Sequence, residues 1–411
     1  MRDSRCPLFA RVKSARVQQT VRCELDLEVT VLLILFVCSI TSILSDRLKI
    51  SYSKLLVIIG AIISIPEFSP FHMQTSALTG GIFLSIILPP LVFQAALSID
   101  YEIFKKVTKP VLLLAIGGVA VLALVCSLIL MAVGIPFVEA LAFGVIISPT
   151  DAVAVLDTLK QLKPPKQLAT IIEGEALFND ATALALVSGV AALSLNPVIY
   201  ATDTVTKFVG GAAVGLVLGY LANKLMPVLG KDARVMITVS IAYGSFLLAE
   251  TFHFSGIVAV AILGLYVGRY FQRRRREEAQ RDAMMSFWDV AAFLANSVAF
   301  ILIGLVLDPM EIVNHGPLII FCFAAMLVAR YVSVKALLVP LSRLVGSIPR
   351  SWRNVTSLAG IRGAVSAALV LSLPPNFPYK SEILAITFGV ILLSLLVQTK
   401  LLSHYAGRAS L

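Results

Sequence analysis

The feature that most constrains this chain is a series of apolar segments, each about twenty residues long, that recurs from Leu27 to Leu402. Helices of this length and character cross the ~30 Å hydrocarbon core of a bilayer, because a helix satisfies its backbone hydrogen bonds internally. The chain is 58% hydrophobic and only 14% charged, which agrees with such segments filling most of its 411 residues. We therefore predict an all-α polytopic membrane protein.

The apolar pattern predicts about thirteen transmembrane spans, numbered here in chain order. They fall at 27–45, 54–65, 80–98, 107–134, 137–158, 168–193, 206–226, 233–250, 255–271, 286–308, 316–342, 354–373 and 381–403. The transmembrane domain is thus expected over 27–403. Around it we expect a basic N-terminal tail at 1–26, a basic cytoplasmic linker at 272–285 and a short C-terminal tail at 404–411.

Basic residues concentrate in alternate loops and orient the chain. A net charge of +10 would suggest nucleic acid as the partner of a soluble protein, but here the basic side chains lie mainly in short loops between spans. The positive-inside rule therefore places these loops and the C-terminus in the cytoplasm of a multi-pass protein, which we expect in the plasma membrane. Thirteen spans then place the N-terminus outside, which conflicts with the basic character of its tail. We follow the loops, because many of them agree on one orientation. The five cysteines are widely spaced and odd in number, so the sequence indicates no disulfide framework, and it indicates no cofactor.

A cluster of acids interrupts the sixth apolar span. It reads Glu173-Gly174-Glu175-Ala176-Leu177-Phe178-Asn179-Asp180. At ~1.5 Å rise per residue, Asp180 lies roughly 18 Å beyond Leu168, where the span begins after the basic loop that ends at Lys166, and so near the middle of the bilayer. An ionisable group is expensive at that depth, so by default it faces an interior cavity and handles an ion, a proton or a substrate.

Two other spans are interrupted at a similar depth. Span 5 contains Ser148-Pro149-Thr150-Asp151, where the proline removes a backbone donor, and span 12 contains Gly360-Ile361-Arg362-Gly363. If spans 1–6 and 8–13 form two inverted repeats, these interruptions occupy corresponding positions. Matching breaks in two halves are the best sequence indication of a transport site near the midplane. Gln94, Glu173, Ser148 and Arg330 are the candidate accessory residues of that site.

The residue types at this depth suit a small cation. Asp180 stands beside the amide of Asn179, and Thr150 and Asp151 can approach from the broken helix. Carboxylate, hydroxyl and unpaired carbonyl oxygens are what a hard cation needs when it leaves water, so we predict a small cation at Asp180, Asp151 and Thr150. A proton competes for the same carboxylate. One group that holds either a proton or a cation is sufficient for coupled exchange.

The remaining intramembrane charges need partners. Arg362 cannot stay uncompensated in hydrocarbon, and Glu175 is its expected partner in a permanently ionised structural pair, because Asp180 must stay free to trade ligands. Arg330 in span 11 is expected to find a helix C-terminus or broken-helix carbonyls. Glu173 lies nearer the cytoplasm, where it is either solvated or lines the entrance.

These residues resemble the monovalent cation:proton antiporter family, specifically its sodium/proton exchangers of the Asn-Asp type. The resemblance covers most of the chain and depends on the order and spacing of six motifs. They are Leu88-Pro89-Pro90-Leu91-Val92-Phe93, Ser148-Pro149-Thr150-Asp151, Glu175 through Asp180, Ser255-Gly256-Ile257, Leu294-Ala295-Asn296-Ser297 and Gly360-Ile361-Arg362-Gly363-Ala364-Val365.

The resemblance implies a homodimer with crossed, broken helices. An interface part would comprise about 27–98 and 206–308, and a core part of about 107–193 and 316–403 would shift across the membrane like an elevator. Asp180 would carry the cation or proton, with Asn179 beside it. The Asn-Asp type further implies electroneutral, one-for-one exchange.

Three positions depart from the family pattern: Gln94 stands where several relatives have an acid, Ala176 where a serine is frequent, and Ala152 where proline is common. The first two remove a candidate charge or oxygen from the site and leave the choice between sodium and potassium or lithium open. Intramembrane acids also have three other interpretations: a packed polar network without transport, a passive cation channel, and an intramembrane aspartyl protease using Asp151 and Asp180. The last lacks the expected Gly-x-Gly-Asp context and gives Asn179 no role.

Overall fold

The computed structural model describes residues 32–45, 47–48, 51–64, 81–159, 162–191, 196–273, 278–306, 309–344 and 348–408. Within these ranges the regular structure is helical and contains no strand, so the all-α prediction is confirmed. The helices are α1 Leu32–Ser45, α2 Tyr52–Ile63, α3 Gly81–Ser98, α4 Tyr101–Met131, α5 Phe137–Ile146, α6 Ala152–Leu159, α7 Lys166–Ala191, α8 Pro197–Leu225, α9 Lys231–Thr251, α10 Gly256–Arg273, α11 Glu278–Val306, α12 Pro309–Asn314, α13 Gly316–Leu344, α14 Arg350–Leu358, α15 Ala364–Leu371 and α16 Lys380–Arg408.

Six of the described helices are long and apolar enough to cross a membrane by length and composition. They lie within α4, α8, α9, α11, α13 and α16. Shorter apolar helices occur in α1, α2, α3 and α5. The number of about thirteen spans therefore stays a prediction.

Several predicted boundaries shift. Helix α4 begins at Tyr101 rather than at 107, because the Asp100 side chain caps it by accepting hydrogen bonds from the backbone of Glu102 and Ile103. The predicted linker at 272–285 is largely helical, since α10 extends to Arg273 and α11 begins at Glu278. Residues 274–277, which include most of its basic run, lie outside the described residues, as do the predicted tail at 1–26 and residues 409–411. Residues 404–408 continue α16.

The helices pack in two groups. Helices α2, α3 and α8–α11 contact one another extensively, and α10 lies between α3 and α8. Helices α4–α7 and α13–α16 form the second group, in which α4 packs against α5, α7 and α13. Contacts between the groups are fewer and involve mainly α7 with α8 and α10, and α11 with α15. This arrangement leaves a space between α3 and α11 of one group and α6, α7 and α15 of the other.

Two membrane segments are broken in the middle. The first consists of α5 and α6, separated by residues 147–151, and the second consists of α14 and α15, separated by residues 359–363. Pro149 lacks the backbone donor that would continue α5. Gly363 lies so close to the first break that a Cβ atom there would be 2.5 Å from the Asp151 Oδ2 atom. The extended segments of the two breaks are therefore in direct contact.

Candidate functional site

Backbone and guanidinium groups join the two breaks. The Asp151 backbone N–H donates a 2.8 Å hydrogen bond to the carbonyl of Ile361. The Arg362 Nη1 atom donates to the carbonyls of Ser148 at 2.7 Å and Pro149 at 2.9 Å. These carbonyls lie in the break just beyond the C-terminal end of α5, near the negative end of its helix dipole. Arg362 thus stabilises the broken end of α5.

Polar side chains of α16 hold the second break. The Ser394 hydroxyl accepts from the Arg362 backbone N–H at 2.9 Å and donates to the Gln398 side chain, also at 2.9 Å. The Gln398 amide in turn donates to the Leu358 carbonyl at 3.0 Å. Ser394 to Gln398 form a π-helical turn within α16. This turn satisfies backbone groups that the interruption between α14 and α15 leaves without helical partners.

The expected ion pair between Glu175 and Arg362 is wrong. Glu175 binds Arg330 instead, through both carboxylate oxygens and both terminal guanidinium nitrogens, with one Nη2–Oε2 distance of 2.9 Å. Arg330 also donates to the carbonyl of Thr356 near the end of α14, at 3.0 Å. Arg330 therefore has both the broken-helix carbonyl expected for it and the carboxylate expected for Arg362. Arg362 instead faces the carbonyls of the first break. Glu175 and Arg330 are each 2% exposed.

A cavity of about 570 Å³ adjoins the point where the two breaks contact each other, which we call the crossing. Thr150 and Asp151 reach it from the first break, Asp180 from α7, and Ser366 from α15. Further acids line it, namely Asp157, Glu173 and Asp289, and the described part of the chain contributes no lysine or arginine to its lining. Ser98, at the end of α3, and Asp157, near the end of α6, also line it. The cavity therefore extends from the crossing toward the membrane side on which the basic loops lie.

The polar atoms nearest the crossing include acceptors without a donor. The Oδ1 atom of Asp180 is buried and has no hydrogen-bond partner among the described residues, and the same holds for the Asn179 Oδ1 atom. The Asn179 Nδ2 atom donates to the Thr150 hydroxyl at 2.8 Å, which orients that hydroxyl. Asn179 itself is 1% exposed and lies behind Thr150 rather than among the cavity-lining residues. A buried carboxylate oxygen without a donor is available to accept a proton or to bind a cation.

Asp151 occupies a second favourable position. Its Oδ1 atom accepts from the backbone N–H of Ala154 at 3.0 Å and so caps α6, while its Oδ2 atom faces Gly363 immediately before α15. The N-terminal ends of both helices carry partial positive charge, which stabilises a carboxylate placed between them. Asp151 is thereby held beside the cavity in a fixed orientation.

The predicted accessory residues differ in their placement. Gln94 lines the cavity and donates to Asp289 Oδ1 at 2.8 Å, and Glu173 lines the cavity as well. Ser148 does not line it, since its hydroxyl donates to the Val145 carbonyl at 2.7 Å and only its own carbonyl takes part, as an acceptor for Arg362. All three positions that depart from the family pattern, Gln94, Ala152 and Ala176, are cavity-lining.

The sequence analysis did not predict several cavity residues, among them Asp157, Asp289 and Ser366. The two acids lie near the ends of apolar helices, where a carboxylate normally indicates only solvent, so the apolar pattern carried no signal for them. Ser366 follows Gly363 by three residues and therefore shares its helix face. From that spacing the sequence could have predicted that Ser366 lies near the site.

Comparison with known proteins adds the following findings. Residues 32–406 match the family model described as sodium/hydrogen exchanger, transmembrane. The chain is 31% identical to the Na(+)/H(+) antiporter ApNhaP of Aphanothece halophytica over 401 residues, covering 94% of this chain and 75% of that protein. It is 32% identical to the Na(+)/H(+) antiporter NhaG of Bacillus atrophaeus, covering 89% and 71%. The solved structure of the sodium proton antiporter MjNhaP1 from Methanocaldococcus jannaschii at pH 8 has the same fold, with a TM-score of 0.76 at 23% identity over 92% of this chain and 97% of that one.

Proposed function

Because the chain belongs to the sodium/hydrogen exchanger family, we propose that it exchanges a monovalent cation, Na+ in the first instance, for H+ across a membrane. The observation that carries this proposal is the buried Asp180 carboxylate oxygen, which has no hydrogen-bond partner in the described part of the chain and adjoins a cavity that also contains Asp151 and Thr150. The names of the antiporters to which the chain is similar support Na+ as the cation. The family consists of transporters, so the chain is not an enzyme and the protease interpretation is excluded.

The proposed cycle uses one exchangeable carboxylate. With the cavity open, a cation displaces the proton of Asp180 and is held by its carboxylate, by Asp151 and by the Thr150 hydroxyl. After the site has moved to the opposite side, the cation leaves and a proton takes its place. One positive charge moves in each direction, so the exchange is one-for-one and electroneutral. Glu175 and Arg330 neutralise each other and contribute no transported charge.

The two groups of helices supply an elevator-type movement in this proposal. The second group carries both breaks and Asp180, and its contacts with the first group are fewer than those within each group. A rigid-body shift of the second group, the core part, past the first group, the interface part, then carries the site across the membrane. The interface part would also hold two chains together as a homodimer. If the protein lies in the plasma membrane with its basic loops and C-terminus on the cytoplasmic side, the cavity opens toward the cytoplasm.

Proton flux in proteoliposomes tests the function. Protein is reconstituted into vesicles with an acidic lumen and a pH-sensitive dye, and NaCl, KCl or LiCl is added outside at constant ionic strength maintained with choline chloride. We expect Na+ to raise the lumenal pH fastest, and an imposed membrane potential to leave the rate unchanged. Vesicles without protein are the control.

The outcomes separate the alternatives. A faster rise in lumenal pH with K+ or Li+ than with Na+ would identify a different transported cation but would still support antiport. A rate that follows the membrane potential contradicts one-for-one exchange. Cation flux that leaves the lumenal pH unchanged indicates a channel and contradicts antiport itself.

A further inference from the structure

The exchange chemistry leaves one buried hydroxyl beside the cavity without a role. Ser366 is 0% exposed, its Oγ atom has no hydrogen-bond partner among the described residues, and it is a cavity-lining residue together with Asp151 and Asp180. It comes from α15, which otherwise contributes mainly apolar and glycine surface to the site. A buried hydroxyl without a partner costs free energy, so its presence calls for an acceptor or a ligand.

Other buried serines in this protein do not show this feature. Ser127, Ser245 and Ser333 each donate to a carbonyl one turn earlier in their own helix, at 2.6, 2.9 and 3.0 Å. This is the usual way in which a helical serine is satisfied. In the described part of the chain, Ser366 and Thr387 are the serine and threonine hydroxyls that are buried and lack a partner. Thr387 is on α16 and is not a cavity-lining residue.

The position of Ser366 on its helix directs it to the site. Residues three apart in a helix lie on the same face, and Ser366 follows Gly363 by three. Gly363 faces the Asp151 carboxylate so closely that a Cβ atom there would be 2.5 Å from Oδ2. Ser366 is therefore one turn further along the face of α15 that contacts Asp151. Helix α15 also packs against α7, which carries Asp180.

We propose that Ser366 is a ligand of the transported cation and that it helps to set cation preference. This proposal rests on the exchange function proposed above and completes a set of oxygens from three elements: Asp180 of α7, Thr150 and Asp151 of the first break, and Ser366 beyond the second. A hydroxyl is a hard, neutral donor. Its contribution changes affinity and selectivity but leaves the charge balance of one-for-one exchange unaltered.

A pair of matched substitutions tests this assignment. Ser366→Ala and Thr387→Val each delete one buried, unpartnered hydroxyl of the described chain, but only the first lines the cavity. In proteoliposomes, we expect Ser366→Ala to raise the Na+ concentration for half-maximal proton flux about tenfold, with the maximal rate within about twofold of wild type, and to change the ratio of Na+ to Li+ affinity. Thr387→Val should leave both quantities unchanged. Neither variant should lower thermal stability, because neither hydroxyl makes a hydrogen bond within the described residues.

A third variant separates a ligand from a space-filling side chain. Ser366→Cys keeps a small side chain but replaces a hard oxygen with a softer sulfur, so Na+ affinity should fall while Tl+ affinity is affected less. If wild type exchanges and Ser366→Ala retains its Na+ affinity and selectivity, this assignment alone is overturned. A loss of affinity in Thr387→Val equal to that in Ser366→Ala also overturns it. A wild-type protein without cation-driven proton flux overturns both this assignment and the proposed function.

Discussion

The first broken segment, α5–α6, turns its polar side chains toward the cavity, whereas the second, α14–α15, turns its charge away from it. Thr150 and Asp151 are cavity-lining, but Arg362 is 0% exposed and is surrounded by the Ser148 and Pro149 carbonyls and the Met326 sulfur. The two interruptions are alike in depth and backbone character. Their side chains nevertheless perform different tasks, because one break presents oxygens to the cavity and the other stabilises the first.

The effect of removing an intramembrane charge should depend on whether that charge contacts the cavity. A charge that contacts the cavity can exchange its partner with each cycle, so its removal should affect transport. A charge that is enclosed by fixed acceptors cannot exchange its partner, so its removal leaves buried groups unsatisfied and should affect stability first. Four sets of variants test that distinction, from the largest expected effect to the smallest.

The largest effect is expected for Asp180→Asn. An amide of the same size cannot carry the exchangeable proton, so Na+-driven proton flux should fall by at least about 100-fold while the melting temperature in detergent stays close to that of wild type. Asp203→Asn is the matched control. Asp203 is partly exposed, forms an ion pair with Lys207 at an Oδ2–Nζ distance of 2.6 Å, and does not line the cavity. Substantial flux in Asp180→Asn would remove this residue from the centre of the mechanism.

The enclosed charges should show a loss of stability. Glu175→Gln or Arg330→Gln breaks a buried pair and should lower the free energy of unfolding by about 3–5 kcal/mol, measured as a fall in melting temperature. Double-mutant cycles should give a coupling of about 1–3 kcal/mol for Glu175 with Arg330 and a clearly smaller one for Glu175 with Arg362. The reverse order of couplings would restore the partner that the sequence suggested.

Two glycines of the second break provide a steric comparison. A Cβ atom at Gly363 would lie 2.5 Å from Asp151 Oδ2, whereas one at Gly360 would lie 3.1 Å from Nε and 3.2 Å from Cγ of Arg330. Gly363→Ala should therefore displace the Asp151 carboxylate and reduce flux roughly tenfold, and Gly360→Ala should reduce it less, because a long side chain can adjust. Equal flux in the two variants would show that the close approach at Gly363 is not needed for transport.

The smallest effect is expected at the outer part of the cavity. Asp289 is exposed and accepts from Gln94, so Asp289→Asn removes a charge that is solvated and screened. The Na+ concentration for half-maximal flux should rise by only about twofold, and the difference should shrink when choline chloride is added. An effect as large as that of Asp180→Asn would mean that Asp289 binds the ion directly.

The fold class and the approximate depth of Asp180 and of the two interruptions can be predicted from the sequence. Apolar length predicts membrane helices, and the fixed rise of a helix places Asp180 and both interruptions at similar depth from their chain positions alone. Pro149 and the glycines around Arg362 likewise predicted the breaks, because their backbone chemistry is local. Thr150, Asp151 and Asp180, which the sequence places at similar depth, all line the cavity, and their role in binding the ion stays a prediction.

The contacts between these residues depend on the tertiary structure. Arg330 and Arg362 are both arginines at a suitable depth, and their partners differ because α13 presents one to Glu175 while the second break presents the other to the carbonyls of Ser148 and Pro149. Asp289 and Ser366 likewise line the cavity because of how α11 and α15 pack in the folded protein. Depth is a property of position along a helix, which sequence supplies, whereas partner choice depends on the rotation and packing of helices far apart in the chain.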